Sequence, residues 1–316
     1  MKITVCEPLS IDSQTQDKLA APFRDQGIEV VFYPDKTTDL QKLAERCSDA
    51  DIVITANQPF PEAVVKECKK AKLIDVAFTG TDHVDKKTAA DMGISVCNAQ
   101  GYATEAVAEL VMALAVDVLR SIVPLDAAVR KGGARGSLAG RELKGKTFGI
   151  VGTGAIGIRT AELAKAFGCK VIGWSRSIRT EAQQAGIEYV SFEDVVKNSD
   201  ILSLNVPLTD STRGLIGEKE LKMMKRSAIL INTARGPVVE EAALAQALKD
   251  GEIAGAGIDV FAGEPPLAQD SPILSAPNTV LTPHIAYATE ESFSDRAAIV
   301  FDNALSFIDG NPRNIV

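Results

Sequence analysis

A chain of 316 residues with 46% hydrophobic side chains is long enough for two ordinary domains and can bury cores of normal size. Its net charge of −8 argues against a protein that tracks nucleic-acid phosphates. The first residues hold one lysine and no apolar run of signal-peptide length, Glu109, Asp117 and Arg120 interrupt the most apolar helical stretch (107–123), and Cys6, Cys47, Cys68, Cys97 and Cys169 form no Cys-x-x-Cys, so the expectation is a cytoplasmic protein without leader, membrane span or disulfide framework.

In chain order, apolar runs at 2–5, 30–33, 52–55, 73–77 and 95–97 read as strands separated by polar, helix-compatible segments. Their continuous hydrophobicity predicts strands buried on both faces, hence a parallel sheet. Val107, Leu110, Val111, Leu114 and Val118 then recur at helical intervals. The glycine-rich stretch 131–140 has no period and reads as a loop or arm outside any core. A second alternating series follows, with strands at 147–151, 170–174, 201–205, 228–232, 256–260 and 280–282, and a final helix at 290–308. The fold expected is α/β, with two doubly wound parallel sheets.

Phe148-Gly-Ile-Val-Gly152-Thr-Gly154-Ala-Ile-Gly157 is an apolar strand that runs into Gly-x-Gly-x-x-Gly and a helix. Gly152 suits a tight turn, Gly154 a close approach of backbone to a pyrophosphate, and Gly157 close packing of helix on strand. The helix start, Ala155 and Ile156 included, offers N–H groups and partial positive charge to phosphates. Strand, motif, helix and second strand follow within about thirty residues, as a dinucleotide site requires. The second strand ends at Trp174-Ser175-Arg176-Ser177, where an NAD-preferring fold carries a carboxylate for the ribose 2′-hydroxyl. Serine and arginine there favour a 2′-phosphate, hence NADP, with NAD as the alternative.

Further strand ends carry Asn205-Val206-Pro207, Asn232-Thr233-Ala234-Arg235, Asp259 and Thr282-Pro283-His284, with Glu264 in the loop after Val260. An arginine, a glutamate and a histidine converging on a nicotinamide suit carbonyl reduction. The guanidinium would hold a carboxylate and polarise an oxo group; the histidine would donate a proton; the glutamate would orient it. Of the two histidines, His284 is the candidate acid and His83 reads as structural. No Cys/His cluster suggests a metal.

These residues resemble the D-isomer-specific 2-hydroxyacid dehydrogenase family over nearly the whole chain. The matching pieces are Thr79-Gly-Thr-Asp-His-Val-Asp85, Gly101-Tyr-Ala-Thr-Glu-Ala-Val-Ala-Glu109, the Gly152 motif, Asn232-Thr-Ala-Arg-Gly-Pro237, Asp259-Val-Phe-Ala-Gly-Glu-Pro265 and Leu281-Thr-Pro-His-Ile-Ala286. The resemblance implies a flavodoxin-like substrate domain formed by 1–100 and 286–316, and a Rossmann domain at 101–285. It implies Arg235, Glu264 and His284 as the catalytic set. Thr104, Val206, Pro207, Thr212, Thr233, Ala234 and Asp259 would line the cofactor cleft, Asp259 holding the carboxamide. Asn57, Thr79, Gly80 and Tyr287 would face the substrate, with backbone N–H groups of Thr79 and Gly80 on its carboxylate. A homodimer through the cofactor domains is implied, with 131–140 as its arm.

Within the family, the segment 282–289 and Asn311-Pro-Arg-Asn314 look like the glycerate dehydrogenase and hydroxypyruvate (glyoxylate) reductase branch, although Tyr287 stands where that branch often has tryptophan. The stretch 54–58 lacks the arginines a phosphorylated substrate would want. The expected activity is hydride transfer between NAD(P)H and a small 2-oxo acid; the alternative is a dinucleotide-sensing binding protein like the co-repressors that resemble this family.

Overall fold

Short, mostly apolar runs become strands with both faces buried, because helices cover each side of a parallel sheet. The structure, a computed structural model, describes residues 1–263 and 266–316. It separates into two units, Met1–Ala103 with Ala288–Val316, and Thr104–Tyr287.

The first unit contains β1 (Lys2–Val5), β2 (Glu29–Phe32), β3 (Ile52–Thr55), β4 (Leu73–Val76) and β5 (Ser95–Asn98). They pair in parallel in the order β2-β1-β3-β4-β5, the flavodoxin-like arrangement. Helices Ser13–Arg24 and Leu40–Cys47 start at Asp12 and Asp39, whose carboxylates accept backbone N–H groups left open by the first helical turn. Helix Glu290–Ile308 starts at Thr289 and brings Phe301 within 5.7 Å of Phe23 and 5.8 Å of Phe32, ring centre to ring centre. From the same helix Asn303 donates to Asp75 Oδ1 at 3.1 Å. Asp75 is fully buried in β4, and desolvation pushes its carboxyl well above the usual carboxylate range.

The second unit contains β6 (Thr147–Val151), β7 (Lys170–Trp174), β8 (Glu188–Tyr189), β9 (Ile201–Leu204), β10 (Ile229–Asn232), β11 (Gly255–Ile258) and β12 (Thr279–Leu281). Their parallel sheet runs β12-β11-β10-β9-β6-β7-β8. The chain winds from β6 to one edge and then, from β9, to the other, so the order reverses between β6 and β9; ligands of such sheets bind beyond the carboxyl ends of the strands at this reversal. Helix Thr104–Arg120 packs on helix Ala155–Ala166 and on β10 and β11.

The two doubly wound sheets agree with the sequence reading, and strand limits move by one or two residues. The edge strand β8 was not expected, since two residues carry no periodicity. Helix Thr104–Arg120 ends at Ser121, whose φ of 52° is left-handed, and a separate helix, Ile122–Arg130, follows with no buried residue. Residues 131–140 contain no helix or strand and are all exposed. No described helix is long and apolar enough to cross a membrane.

Candidate functional site

The turn after β6 is dictated by contact distances. Gly152 has φ 98°, and a Cβ there would lie 2.5 Å from the carbonyl oxygen of Asn205. At Gly157 a Cβ would lie 2.1 Å from the carbonyl oxygen of Gly152, so only glycine lets the helix sit on the strand end. Gly154 is different: a Cβ there would meet nothing within 4 Å. It borders open space at the start of helix Ala155–Ala166, which no side chain caps. Backbone N–H groups of Ala155, Ile156 and Gly157 therefore head a helix with room in front of it, as a pyrophosphate requires.

Beyond β7, Ser175 is half-buried while Arg176, Ser177 and Arg179 are exposed. Neither Arg176 nor Arg179 has an ion pair among the described residues, and no carboxylate lies within 175–179. Tyr189 of β8, which has no role in the sequence reading, puts its hydroxyl 2.6 Å from Thr153 Oγ1 and accepts from Arg179 N at 3.1 Å.

The neighbouring strands β9 to β12 deliver the remaining groups. Val206 is buried beside the Gly152 turn. Pro207 is exposed, and its carbonyl accepts from the Thr212 hydroxyl at 2.6 Å; Thr212 also accepts from Thr209 N, so its hydroxyl ties the loop to itself. Asn205 Oδ1 and Thr233 Oγ1, just past β9 and β10, are buried with no hydrogen-bond partner among the described residues. Such groups normally find one, and a dinucleotide at this edge would supply it. The residues present thus fit the cofactor: open space before a helix start, and orphaned polar atoms at adjacent strand ends.

Asn232 shapes the next turn, its Nδ2 donating to Arg235 O at 3.0 Å and its Oδ1 accepting from Ala234 N at 3.1 Å. Arg235 is half-buried, and its Nη1 donates to Ala234 O at 2.7 Å. Gly236 then presses on Phe261, since a Cβ there would lie 1.9 Å from that residue's carbonyl.

Asp259 is fully buried after β11 and organises the histidine turn. Its Oδ1 accepts from Thr282 Oγ1 at 2.5 Å and Ile285 N at 2.9 Å, and its Oδ2 from Ala286 N at 2.9 Å. His284 N donates to Asp259 O at 2.8 Å, and His284 has φ 55°. The histidine is thus held in a left-handed conformation that costs about 1–3 kcal/mol outside glycine. The Tyr287 ring meets the His284 ring edge-on, 5.6 Å between centres at 87°. The carboxamide-holding role implied for Asp259 uses the same carboxylate, whose Oδ2 accepts one hydrogen bond among the described residues. Thr104 is the first residue of helix Thr104–Arg120. Glu264 lies outside the described residues.

In the first unit, Asn57 Oδ1 accepts from Lys36 Nζ at 2.6 Å. Thr79 O accepts from Asn98 Nδ2 at 2.8 Å, while the N–H groups of Thr79 and Gly80 donate to no acceptor among the described residues. Glu7, buried at the end of β1, braces the neighbouring turn by accepting from Ala56 N at 2.7 Å and Gln58 N at 3.2 Å. His83 contributes its carbonyl to Phe60 N at 2.9 Å. Among the described residues no group of His, Cys, Asp or Glu could hold a metal ion.

Residues 112–286 match the family model described as D-isomer specific 2-hydroxyacid dehydrogenase, NAD binding domain. The chain is 44% identical over 285 residues to a glyoxylate reductase of Thermococcus litoralis, covering 87% of this chain and 86% of that one. It is 42% identical over 286 residues to a glycerate dehydrogenase of Methylorubrum extorquens, covering 87% and 88%. Among solved structures, an acyclic imino acid reductase in complex with NADPH and D-arginine superposes with a TM-score of 0.89 at 31% identity, over the full length of both chains.

Proposed function

This chain belongs to the D-isomer-specific 2-hydroxyacid dehydrogenases, and we propose that within the family it works as an NADPH-linked reductase of small, unphosphorylated 2-oxo acids, hydroxypyruvate and glyoxylate first. The observation that carries the reading is the set of neighbouring strand ends, where a half-buried Arg235 and a turn-constrained His284 follow the same sheet as the glycine turn. The names of the relatives, reductases and dehydrogenases, support an enzyme over a dinucleotide-sensing protein.

When bound, the reduced nicotinamide supplies the hydride received by the carbonyl carbon. His284 donates its proton to the carbonyl oxygen as that oxygen gains charge. The guanidinium of Arg235 holds the substrate carboxylate and stabilises the developing alkoxide. Glu264, assigned on its motif, orients the imidazole. The N–H groups of Thr79 and Gly80 receive the carboxylate, and Asn57 and Tyr287 shape the space for the short side chain. The product is a D-2-hydroxy acid, or glycolate where glyoxylate is reduced.

For the cofactor, the 2′-phosphate reading rests on Ser175, Arg176 and Ser177, and the NADPH complex of a solved relative supports it. NADH remains the second substrate to compare. Helix Ile122–Arg130 buries no residue, and Val129 (65% exposed), Val123 (54%) and Ile122 (49%) form an apolar face beside the exposed arm. We assign that face to a second copy of the chain, giving a homodimer through the cofactor domains. Five free, buried cysteines suit a reducing cytoplasm.

The deciding experiment is initial rates with glyoxylate, hydroxypyruvate, pyruvate and phenylpyruvate, each with NADPH and NADH. Rapid oxidation of NADPH with the first two is expected. His284→Ala should lower kcat by about 10²–10⁴ with NADPH binding unchanged, the usual scale for a lost acid. Equal turnover in the variant, or no turnover with any oxo acid, would remove the assignment.

A further inference from the structure

The loop after β7 is exposed, and its one side-chain hydrogen bond among the described residues is the bond from Arg179 N to the Tyr189 hydroxyl, at 3.1 Å. The same hydroxyl lies 2.6 Å from Thr153 Oγ1. Thr153 is fully buried between the two glycines of the phosphate turn. A phenol has one proton and two lone pairs, so Tyr189 serves both partners at once. The contact crosses β7 at Gly173, which pairs with Ile150 of β6 on one side and Tyr189 of β8 on the other. A Cβ at Gly173 would lie 3.4 Å from Thr153 Cγ2 and 2.5 Å from Ile187 Cγ2. The missing side chain leaves the passage in which the two hydroxyls meet.

We propose that Tyr189 is a positioning residue for the adenosine end of the cofactor: its hydroxyl pins the 175–179 loop to the glycine turn and thereby sets affinity for a 2′-phosphorylated dinucleotide. This rests on the assignment of Ser175, Arg176 and Ser177 to the 2′-phosphate. Arg176 and Arg179 are the cations the loop offers, and neither has an ion pair of its own among the described residues. A flexible loop would have to order both when the phosphate arrives, and that ordering would weaken binding. The strut orders the loop beforehand, at a fixed offset from the turn that holds the pyrophosphate. The effect is selective because the 2′-hydroxyl of NADH makes no use of the cations.

The test is Tyr189→Phe, which keeps the ring and removes the hydroxyl. Calorimetry would measure Kd for 2′,5′-ADP and 5′-AMP, and steady-state kinetics with hydroxypyruvate would measure KM for NADPH and NADH. Kd for 2′,5′-ADP and KM for NADPH should each rise about three- to tenfold, the scale of one net hydrogen bond. Values for 5′-AMP and NADH, and kcat with either cofactor, should stay within about twofold. Thr153→Val should give the same pattern, and the double variant should be no worse than either single one. Unchanged 2′,5′-ADP affinity, or an equal rise for both dinucleotides, would overturn the inference while leaving the cofactor assignment standing. A wild-type protein that binds 2′,5′-ADP no more tightly than 5′-AMP would overturn the assignment, and the inference with it.

Discussion

Replacing Asp259 with asparagine tests whether one buried carboxylate builds the histidine turn. The carboxylate accepts three hydrogen bonds from residues 282–286 and is 0% exposed. An amide has one acceptor oxygen. With that oxygen at the Oδ1 position, Thr282 and Ile285 stay bonded, but the amide N–H₂ faces the N–H of Ala286. One buried donor then loses its acceptor, at about 1–3 kcal/mol, and two bonds fall from charge-assisted to neutral strength. A combined loss of about 2–4 kcal/mol rivals the roughly 1–3 kcal/mol that holds a non-glycine residue in the left-handed region. The turn is therefore expected to relax and displace His284. At about 1.4 kcal/mol per factor of ten, kcat should fall about 30- to 1,000-fold. Hydroxypyruvate-dependent oxidation of NADPH would measure it. Thr282→Val removes one bond of the three and should cost less, about tenfold. If Asp259→Asn turns over within twofold of wild type, the carboxylate does not hold the histidine. If only KM for NADPH rises, its task is the carboxamide.

Other expectations follow from the same structure. Ser175→Asp places a negative charge where the 2′-phosphate is assigned and should lower the NADPH-to-NADH ratio of kcat/KM at least about tenfold, the scale of a lost charge-assisted bond; a constant ratio refutes the assignment. Burial raises the folded-state pKa of Asp75, so the folded protein keeps a proton that the unfolded chain loses above about pH 3.9. Stability is therefore lost as pH rises from there towards the folded value. Asp75→Asn cannot ionise, so its Tm relative to wild type should improve between pH 4 and pH 7; a pH-independent difference refutes the reasoning. Val129→Glu puts a charge on the exposed helix face and should convert the proposed dimer to monomer in light scattering; a wild-type protein that is already monomeric refutes the assignment of that face.

What the sequence discloses depends on how local the physical constraint is. All strands but β8 were legible because burial on two faces favours short, mostly apolar runs, and Ile52–Thr55 and Ile201–Leu204 are buried along their whole length. The glycine motif was legible because sterics act within a few residues: Gly157 must be bare because Gly152 O would lie 2.1 Å from its Cβ. Asp259 is the opposite case. The resemblance implied a ligand-facing acid, and three of its bonds reach residues 23 to 27 positions later. That role exists only once β11 and β12 lie side by side. Tyr189 was hidden twice over. It sits in a two-residue edge strand with no periodicity, and its partners, Thr153 and Arg179, come together only across Gly173. Local pattern thus marks the candidate groups at the glycine turn and the strand ends. Asn232 shapes its turn through residues two and three positions on, whereas the bracing contacts of Asp259 and Tyr189 reach across strands and emerge only with the fold.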